Sequence, residues 1–192
     1  GNDNINTGNG KDLIAFNVGD GQDTVYANGA SVSPDDTVSL GGVGLDYAKL
    51  SLQKSGDDLV LKVSATDSLT FYNWYGSTAD RTVLNLQLVT EAMSAFDANS
   101  SDPLLNKKVQ TFDFQGLVGA FDAARTATPG LSSWALSNGL TQFHLAGSDS
   151  EALGGEIGGG ERARPGLVQA GAQTVGIYNL SLVLALLVLV AI

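Results

Sequence analysis

Residues 1–26 contain one short phrase three times, and this repeat constrains the fold more than any other feature of the chain. In each copy a glycine is followed two residues later by an aspartate, and two residues after that by a large aliphatic residue. The copies begin at Gly1, Gly10 and Gly21. Glycine permits the left-handed backbone of a tight turn, and the aliphatic residue begins a short strand that buries one face. The repeat therefore predicts a stack of turns and short strands; the alternative is a Gly/Asn/Asp-rich loop with chance periodicity.

The residue types in this repeat point to a metal ion. Aspartate supplies a hard anionic oxygen, and the glycines let backbone carbonyls crowd inward beside it. Calcium prefers such oxygen ligands, whereas zinc prefers Cys and His; the chain has no Cys and one His. Ca2+ is therefore the predicted cofactor. The predicted ligands are Gly1, Asp3, Gly8, Gly10, Asp12, Gly19, Asp20, Gly21 and Asp23.

The repeat resembles the RTX nonapeptide, the calcium-binding β-roll phrase G-G-x-G-x-D-x-U-x in which U is a large aliphatic residue. The resemblance implies a truncated parallel β-roll whose turns lie on alternating sides, with ions held between turns stacked on one side. It would place the turns at residues 1–3 and 19–23 together, and the turn at residues 8–12 opposite them. It also implies that the repeats are the C-terminal piece of a longer array.

The net charge of −10 is unevenly distributed. Every acidic residue among residues 1–36 is an aspartate, and Lys11 is the only base there. This balance excludes nucleic acid as a partner, because phosphates require a basic surface, and favours a cation. The lack of cysteine excludes disulfides, but a secreted chain that folds on meeting calcium can do without them, since metal binding itself supplies folding free energy.

Residues 35–98 show the alternation of apolar and polar residues that is typical of half-buried strands. The alternating positions are Leu50 and Leu52, then Leu59, Leu61 and Val63, then Leu69 and Phe71. Turn residues between these runs predict a small antiparallel β unit. The aromatic segment 71–75 that closes the unit is a core or junction cluster in the favoured interpretation, and a ligand-stacking platform in the alternative.

Residues 99–153 change to helical spacing. Phe114, Leu117, Val118, Phe121 and Ala124 predict one amphipathic helix. Thr128 and Pro129 are typical of a helix start, and Leu136, Leu140 and Phe143 follow, so a second helix and thus a C-terminal helical pair are predicted. His144 has no Cys, second His or Ser–acid partner in the sequence, and is interpreted as a packing or surface residue rather than a catalyst.

Residues 1–153 are similar to the haemolysin-type calcium-binding-related region that follows RTX arrays in secreted bacterial proteins. The segments that carry this likeness are 35–40, 56–62, 70–75, 99–103 and 107–114. The resemblance implies a secreted, extracellular module that folds on external calcium and has a type I secretion apparatus as partner. One alternative is an adhesin with a glycan or host-surface ligand; another is the C-terminal part of a secreted hydrolase or toxin whose catalytic domain lies upstream.

The fold class predicted is mainly β with α. The predicted regions are 1–34 (β-roll repeats), 35–98 (antiparallel β unit), 99–153 (helical pair) and 154–192 (a Gly-rich linker and apolar tail of uncertain origin). The apolar run within 177–192 is shorter than the roughly 20 residues that a membrane helix needs, so no confident membrane span is predicted. No catalytic motif is recognised, and the chain itself is predicted not to be an enzyme.

Overall fold

The computed structural model describes residues 1–27 and 34–150, and the backbone of residues 166–169. Apart from that short backbone segment, the predicted linker and apolar tail at 154–192 lie outside the described residues. The described part of the chain is mostly β, with two sheets and one α-helix, which confirms the predicted class of mainly β with α.

The strands are short, as expected for a chain with a turn every few residues. They are β1 Asn4–Asn6, β2 Asp12–Asn17, β3 Gln22–Tyr26, β4 Asp36–Gly41, β5 Ser51–Ser55, β6 Asp58–Lys62, β7 Ser68–Phe71, β8 Val83–Leu88, β9 Val109–Asp113, β10 Trp134–Ala135, β11 His144–Ser148 and β12 Gly166–Gln169. The α-helix is α1, Phe114–Ala127. Short 3-10 helices occupy Tyr47–Lys49, Thr78–Asp80, Thr90–Ala92 and Leu136–Asn138.

The first four strands alternate between the two sheets. Sheet A has the order β1-β3-β7-β6-β5-β10, and sheet B has the order β11-β9-β8-β4-β2-β12. In sheet A, β3 runs parallel to β1 on one side and to β7 on the other; in sheet B, β4 runs parallel to β2 and to β8. Each turn between consecutive early strands therefore crosses from one sheet to the other, and turns on the same side of the molecule come next to each other.

The antiparallel strands predicted from the alternation at residues 49–75 are present as β5, β6 and β7. The parallel pairing of β7 with β3, and of β4 with β2 and β8, was not predicted. Since the β2–β4 and β3–β7 pairs join strands on both sides of the predicted boundary near residue 34, the segments 1–34 and 35–98 share both sheets.

The core lies between the sheets, because one buried apolar cluster takes residues from both. Sheet B contributes residues such as Phe16 and Leu40 to this core, and sheet A contributes Leu61 and Leu69. All four side chains are fully buried. The aromatic segment belongs to this core: the Trp74 ring centroid lies 5.8 Å from that of Phe71 and 5.7 Å from that of Phe114. The favoured interpretation as core is confirmed for Phe71 and Trp74, whereas Tyr72 is exposed.

Helix α1 forms where the helical spacing predicts it. Its N-cap is Asp113, whose side chain accepts a hydrogen bond from the Gly116 N–H at 2.9 Å, satisfying one of the free donors of the first turn. Its buried face consists of Phe114, Leu117, Val118 and Phe121. The helix ends at Ala127, with Thr128 as its C-cap, so Thr128 and Pro129 end this helix and do not begin another.

The predicted second helix, and with it the C-terminal helical pair, is wrong for the described residues. The segment forms β10, a 3-10 helix at Leu136–Asn138 and then β11, which pairs antiparallel with β9. Leu136 and Leu140 are buried, as their spacing suggests, but one short turn achieves this: the Leu140 N–H donates to the Leu136 carbonyl at 3.1 Å. Pairing with the open edge of β9 then outweighs the weak local helical preference.

None of the described helices is long and apolar enough to cross a lipid bilayer.

Candidate functional site

On the sheet A side, the turns before β1 and β3 lie against each other. The Asp3 N–H donates to Asp23 Oδ1 at 2.8 Å, and the Gln22 N–H donates to Asn2 Oδ1 at 3.0 Å. The Thr24 N–H donates to the Asp3 carbonyl at 2.9 Å. The structure therefore brings the predicted ligands of residues 1–3 and 19–23 together.

Glycine is required where these two turns touch. Gly21 has a φ of 104°, in the left-handed region, and a Cβ built on it would overlap the carbonyl oxygen of Gly1. A side chain at this position would thus strain the backbone and separate the turns. The predicted turn glycines Gly8, Gly10 and Gly19 also have positive φ values.

On the opposite side, Asp12 pairs with a residue outside the predicted ligand set. The Asp12 N–H donates to Asp36 Oδ1 at 3.0 Å, and both residues are buried, with exposed fractions of 8% and 1%. The contact repeats the one between Asp3 and Asp23: an aspartate at the start of one strand accepts the N–H of the aspartate at the start of the neighbouring parallel strand. Asp12 and its turn do not contact the cluster of Asp3 and Asp23 through any hydrogen bond within the described residues.

Asp36 is not in the predicted ligand set because its turn lacks the glycines of the phrase. A signal was nevertheless present, since Asp36-Thr37-Val38 repeats Asp23-Thr24-Val25 letter for letter. The pairing of β2 with β4 places Leu13 opposite Thr37, and this register brings the preceding residues Asp12 and Asp36 next to each other. Aspartate, followed two residues later by a buried aliphatic residue, is therefore the better guide to this position than glycine.

Burial makes the negative charge of these carboxylates unfavourable. Burial, and after it the carboxylates of Asp36 and Asp35, raise the pKa of Asp12 to about 6. Burial also raises the pKa of Asp36, against the hydrogen bond from the Asp12 N–H. Both groups would be easier to ionise beside a cation, because an opposite charge favours the charged form of an acid.

Burial also makes the negative charge of the carboxylate on the sheet A side unfavourable. Burial raises the pKa of Asp23, and the hydrogen bond from the Asp3 N–H opposes this effect; the carboxylates of Asp3 and Asp20 raise the pKa further. Asp20 itself has a local partner, since its Oδ2 accepts the Asn17 N–H at 2.8 Å. Its side chain therefore closes the turn that leads into β3, whichever further role it has.

Oδ2 of Asp12 and Oδ2 of Asp23 are both buried and make no hydrogen bond within the described part of the chain. A buried acceptor left without a hydrogen bond costs roughly 1–3 kcal/mol, which a bound cation would offset. The two oxygens lie on opposite sides of the molecule, each at the start of a parallel strand.

These donors fit calcium rather than a transition metal. The single His144 lies elsewhere, with its Nε2 2.7 Å from Gln110 Oε1 and its ring against Phe112, which agrees with a packing role. Across residues 1–27 and 34–150, no three His, Cys, Asp or Glu side chains gather into one metal-binding group. A cation at either pair would therefore take its remaining ligands from backbone carbonyls and hydroxyls, as calcium does.

Comparison with known proteins adds no family to this description. The sequence matches no protein-family model and no curated protein. The functional interpretation therefore depends on the residues themselves and on how the fold places them.

Proposed function

We propose that this chain is the calcium-binding C-terminal module of a secreted, RTX-type bacterial protein, and that external calcium drives its folding. The observation that carries the proposal is the buried pairing of aspartates on neighbouring turns, Asp3 with Asp23 and Asp12 with Asp36, with unpartnered oxygens on Asp12 and Asp23. The resemblance of residues 1–26 to the RTX nonapeptide supplies the identity of the ion.

The arrangement of the early strands supports the β-roll part of this proposal. Consecutive strands β1 to β4 alternate between the sheets and run parallel within each sheet. In such a coil every second turn lies on the same side of the molecule, next to the previous one on that side. This is the geometry that the resemblance implies. A bound calcium ion would supply positive charge between neighbouring turns, and the chain's own carboxylates and turn carbonyls would hold it there.

The folding switch follows from charge and entropy. Without a cation, the aspartates at the turns repel one another, and a glycine-rich backbone loses much conformational entropy when it becomes ordered. At low cytosolic calcium the folded state would be only marginally stable, and external calcium would stabilise it after export, which suits a type I secretion apparatus. The proposal assigns no catalytic step to this chain.

A calcium titration of the full chain, followed by far-UV circular dichroism, tests the proposal. We expect β signal to rise with calcium but not with equimolar magnesium, and the midpoint to shift to higher calcium in Asp12→Asn and Asp23→Asn. Asp57→Asn is the matched control, since it removes the same charge from a side chain that is 74% exposed in the β5–β6 turn. A response that magnesium reproduces, or that the variants leave unchanged, would exclude the proposal.

A second candidate function, binding to a glycan or host surface, is favoured by one exposed aromatic pair. Tyr72 is 51% exposed, and its ring centroid lies 5.0 Å from that of Tyr26 in the neighbouring strand. Aromatic rings on a sheet surface suit stacking against sugars, because one face remains apolar while the hydroxyl meets water. Glycan-array binding by the full chain that Tyr72→Ala abolishes would support this role, and absence of binding would exclude it.

A further inference from the structure

A third aspartate lies against the turn before β3, on the side away from Asp3. Asp67 is buried, and its Oδ1 accepts the Gly21 N–H at 3.1 Å. The Gly19 N–H also donates to this carboxylate. Asp67 lies at the start of β7 as Asp23 lies at the start of β3. The Ser68 N–H donates to the Gly21 carbonyl at 2.9 Å, so the two turns are in direct contact.

Asp67 continues the series of aspartates at the starts of the parallel strands. In sheet A the series runs through Asp3, Asp23 and Asp67, each followed two residues later by a buried aliphatic residue: Ile5, Val25 and Leu69. Each later member accepts a backbone N–H from the turn before it: Asp23 from Asp3, and Asp67 from Gly21. On its other side β7 pairs antiparallel with β6, so Asp67 is the last member of the series on this side.

The carboxylate of Asp67 differs from those of Asp12 and Asp23 in having partners on both oxygens. Its Oδ2 accepts hydrogen bonds from the Ser64 hydroxyl and from the Thr66 hydroxyl, the latter at 3.3 Å. Burial acts to raise the pKa of Asp67, but these hydroxyls and the N–H groups of Gly19 and Gly21 outweigh it, and the pKa is lowered. The negative charge is thus stabilised by the protein's own donors.

We propose that Asp67 is the closing residue of the repeat: a positioning residue that holds the Gly19–Asp23 turn in its stacked conformation without a cation. The Ser64 and Thr66 hydroxyls hold the Asp67 carboxylate through its Oδ2. The carboxylate is therefore already in place to accept the N–H groups of Gly19 and Gly21. The turn that it orders contains Asp23, whose buried Oδ2 makes no hydrogen bond within the described residues. The effect on calcium affinity rests on the proposed function; the ordering of the turn does not.

Amide hydrogen exchange of the full chain, measured by NMR with calcium chelated, tests the proposal directly. In Asp67→Ala we expect the Gly21 amide to exchange at least about tenfold faster than in the wild type, because a hydrogen bond to a charged acceptor is lost. The Phe121 amide in α1 should change much less. The ratio between the two amides separates positioning from general stability, since a global loss of stability would accelerate both equally.

Three comparisons complete the test. Asp67→Asn, which keeps an acceptor oxygen but no charge, should give an intermediate rate, and Asp57→Asn should leave the Gly21 rate unchanged. Saturating calcium should restore protection in Asp67→Ala, with a calcium midpoint higher than that of the wild type. If calcium has no effect on any variant or on the wild type, the proposed function fails while the result in chelator still decides the role of Asp67.

Two results would overturn the proposal: unchanged exchange at Gly21, or equal acceleration at Gly21 and Phe121. If Asp67→Ala does not fold, as judged by lost protection of Phe121, Ser64→Ala takes its place. Removing the Ser64 hydroxyl loosens the carboxylate from behind, so Gly21 should still exchange severalfold faster while Phe121 does not. No difference between Ser64→Ala and the wild type at Gly21 would equally refute the positioning role.

Discussion

Replacing Asp36 by asparagine is expected to change the free energy of unfolding in opposite directions with and without calcium. Asparagine keeps an oxygen that can accept the Asp12 N–H, now bonded at 3.0 Å, and removes one of two adjacent buried charges. With calcium chelated, less repulsion should make the variant more stable than the wild type. With calcium in excess, the loss of an anionic ligand should make it less stable.

The size of the first effect can be worked out from Asp12. Its pKa rises from 3.8 to about 6, with burial as the largest cause and the Asp36 carboxylate as the second. At about 1.4 kcal/mol per pKa unit, ionised Asp12 costs about 3 kcal/mol near neutral pH. Since burial supplies the largest part, Asp36→Asn should recover about 1 kcal/mol. In calcium, each tenfold loss of affinity should lower the stabilisation by about 1.4 kcal/mol.

Urea denaturation of the full chain at neutral pH, in excess chelator and in excess calcium, measures both effects. Asp57→Asn serves as the control, with little change expected in either condition because its side chain is exposed. Destabilisation by Asp36→Asn in both conditions, or the same change in both, would refute the reasoning that the buried pair is strained by its own charge and relieved by a cation.

Other expectations concern pH, a turn glycine and the core. With calcium chelated, urea denaturation should show stability rising as pH falls from about 6 towards 3.8, because the raised pKa of Asp12 makes the folded state bind its proton more tightly than the unfolded state does. Gly21→Ala should lower the melting temperature, with a cost of at least about 1–2 kcal/mol from its positive φ, whereas Gly119→Ala, in an open helical position, should stabilise by up to about 1 kcal/mol. Trp74→Ala should cost about 3–5 kcal/mol in urea denaturation, since the side chain is 1% exposed, and Tyr72→Ala much less.

Local patterns predicted the local structure of this chain well. Alternating leucines predicted β5 and β6, because in a half-buried strand every second side chain faces the core. The spacing from Phe114 to Phe121 predicted α1 for the same kind of reason. The prediction of a helix after Pro129 was wrong. Leu136, Leu140 and Phe143 have a helical spacing, but pairing with β9 determines the backbone conformation of the strand that follows, and the spacing does not reveal that pairing.

The candidate site was predicted only where glycine marked it. The turn glycines and Asp3, Asp12 and Asp23 were found because their phrase repeats at short intervals. Asp36 and Asp67 follow longer insertions and lack those glycines, and only the parallel pairing of β4 with β2 and of β7 with β3 brings them to the same sides. Pairing between distant segments is set by the whole core, so the sequence spacing alone did not predict it.

The mixture of pairings in sheet A has a consequence for the order of folding. β5, β6 and β7 are joined by short turns and need only local contacts, whereas β3 must find β7 across a long stretch of chain, and β1 must then find β3. Local contacts form first because closing a long loop costs more entropy. We therefore expect the three strands β5, β6 and β7 to form first. The glycine-rich repeats should then pair with them strand by strand, β3 before β1.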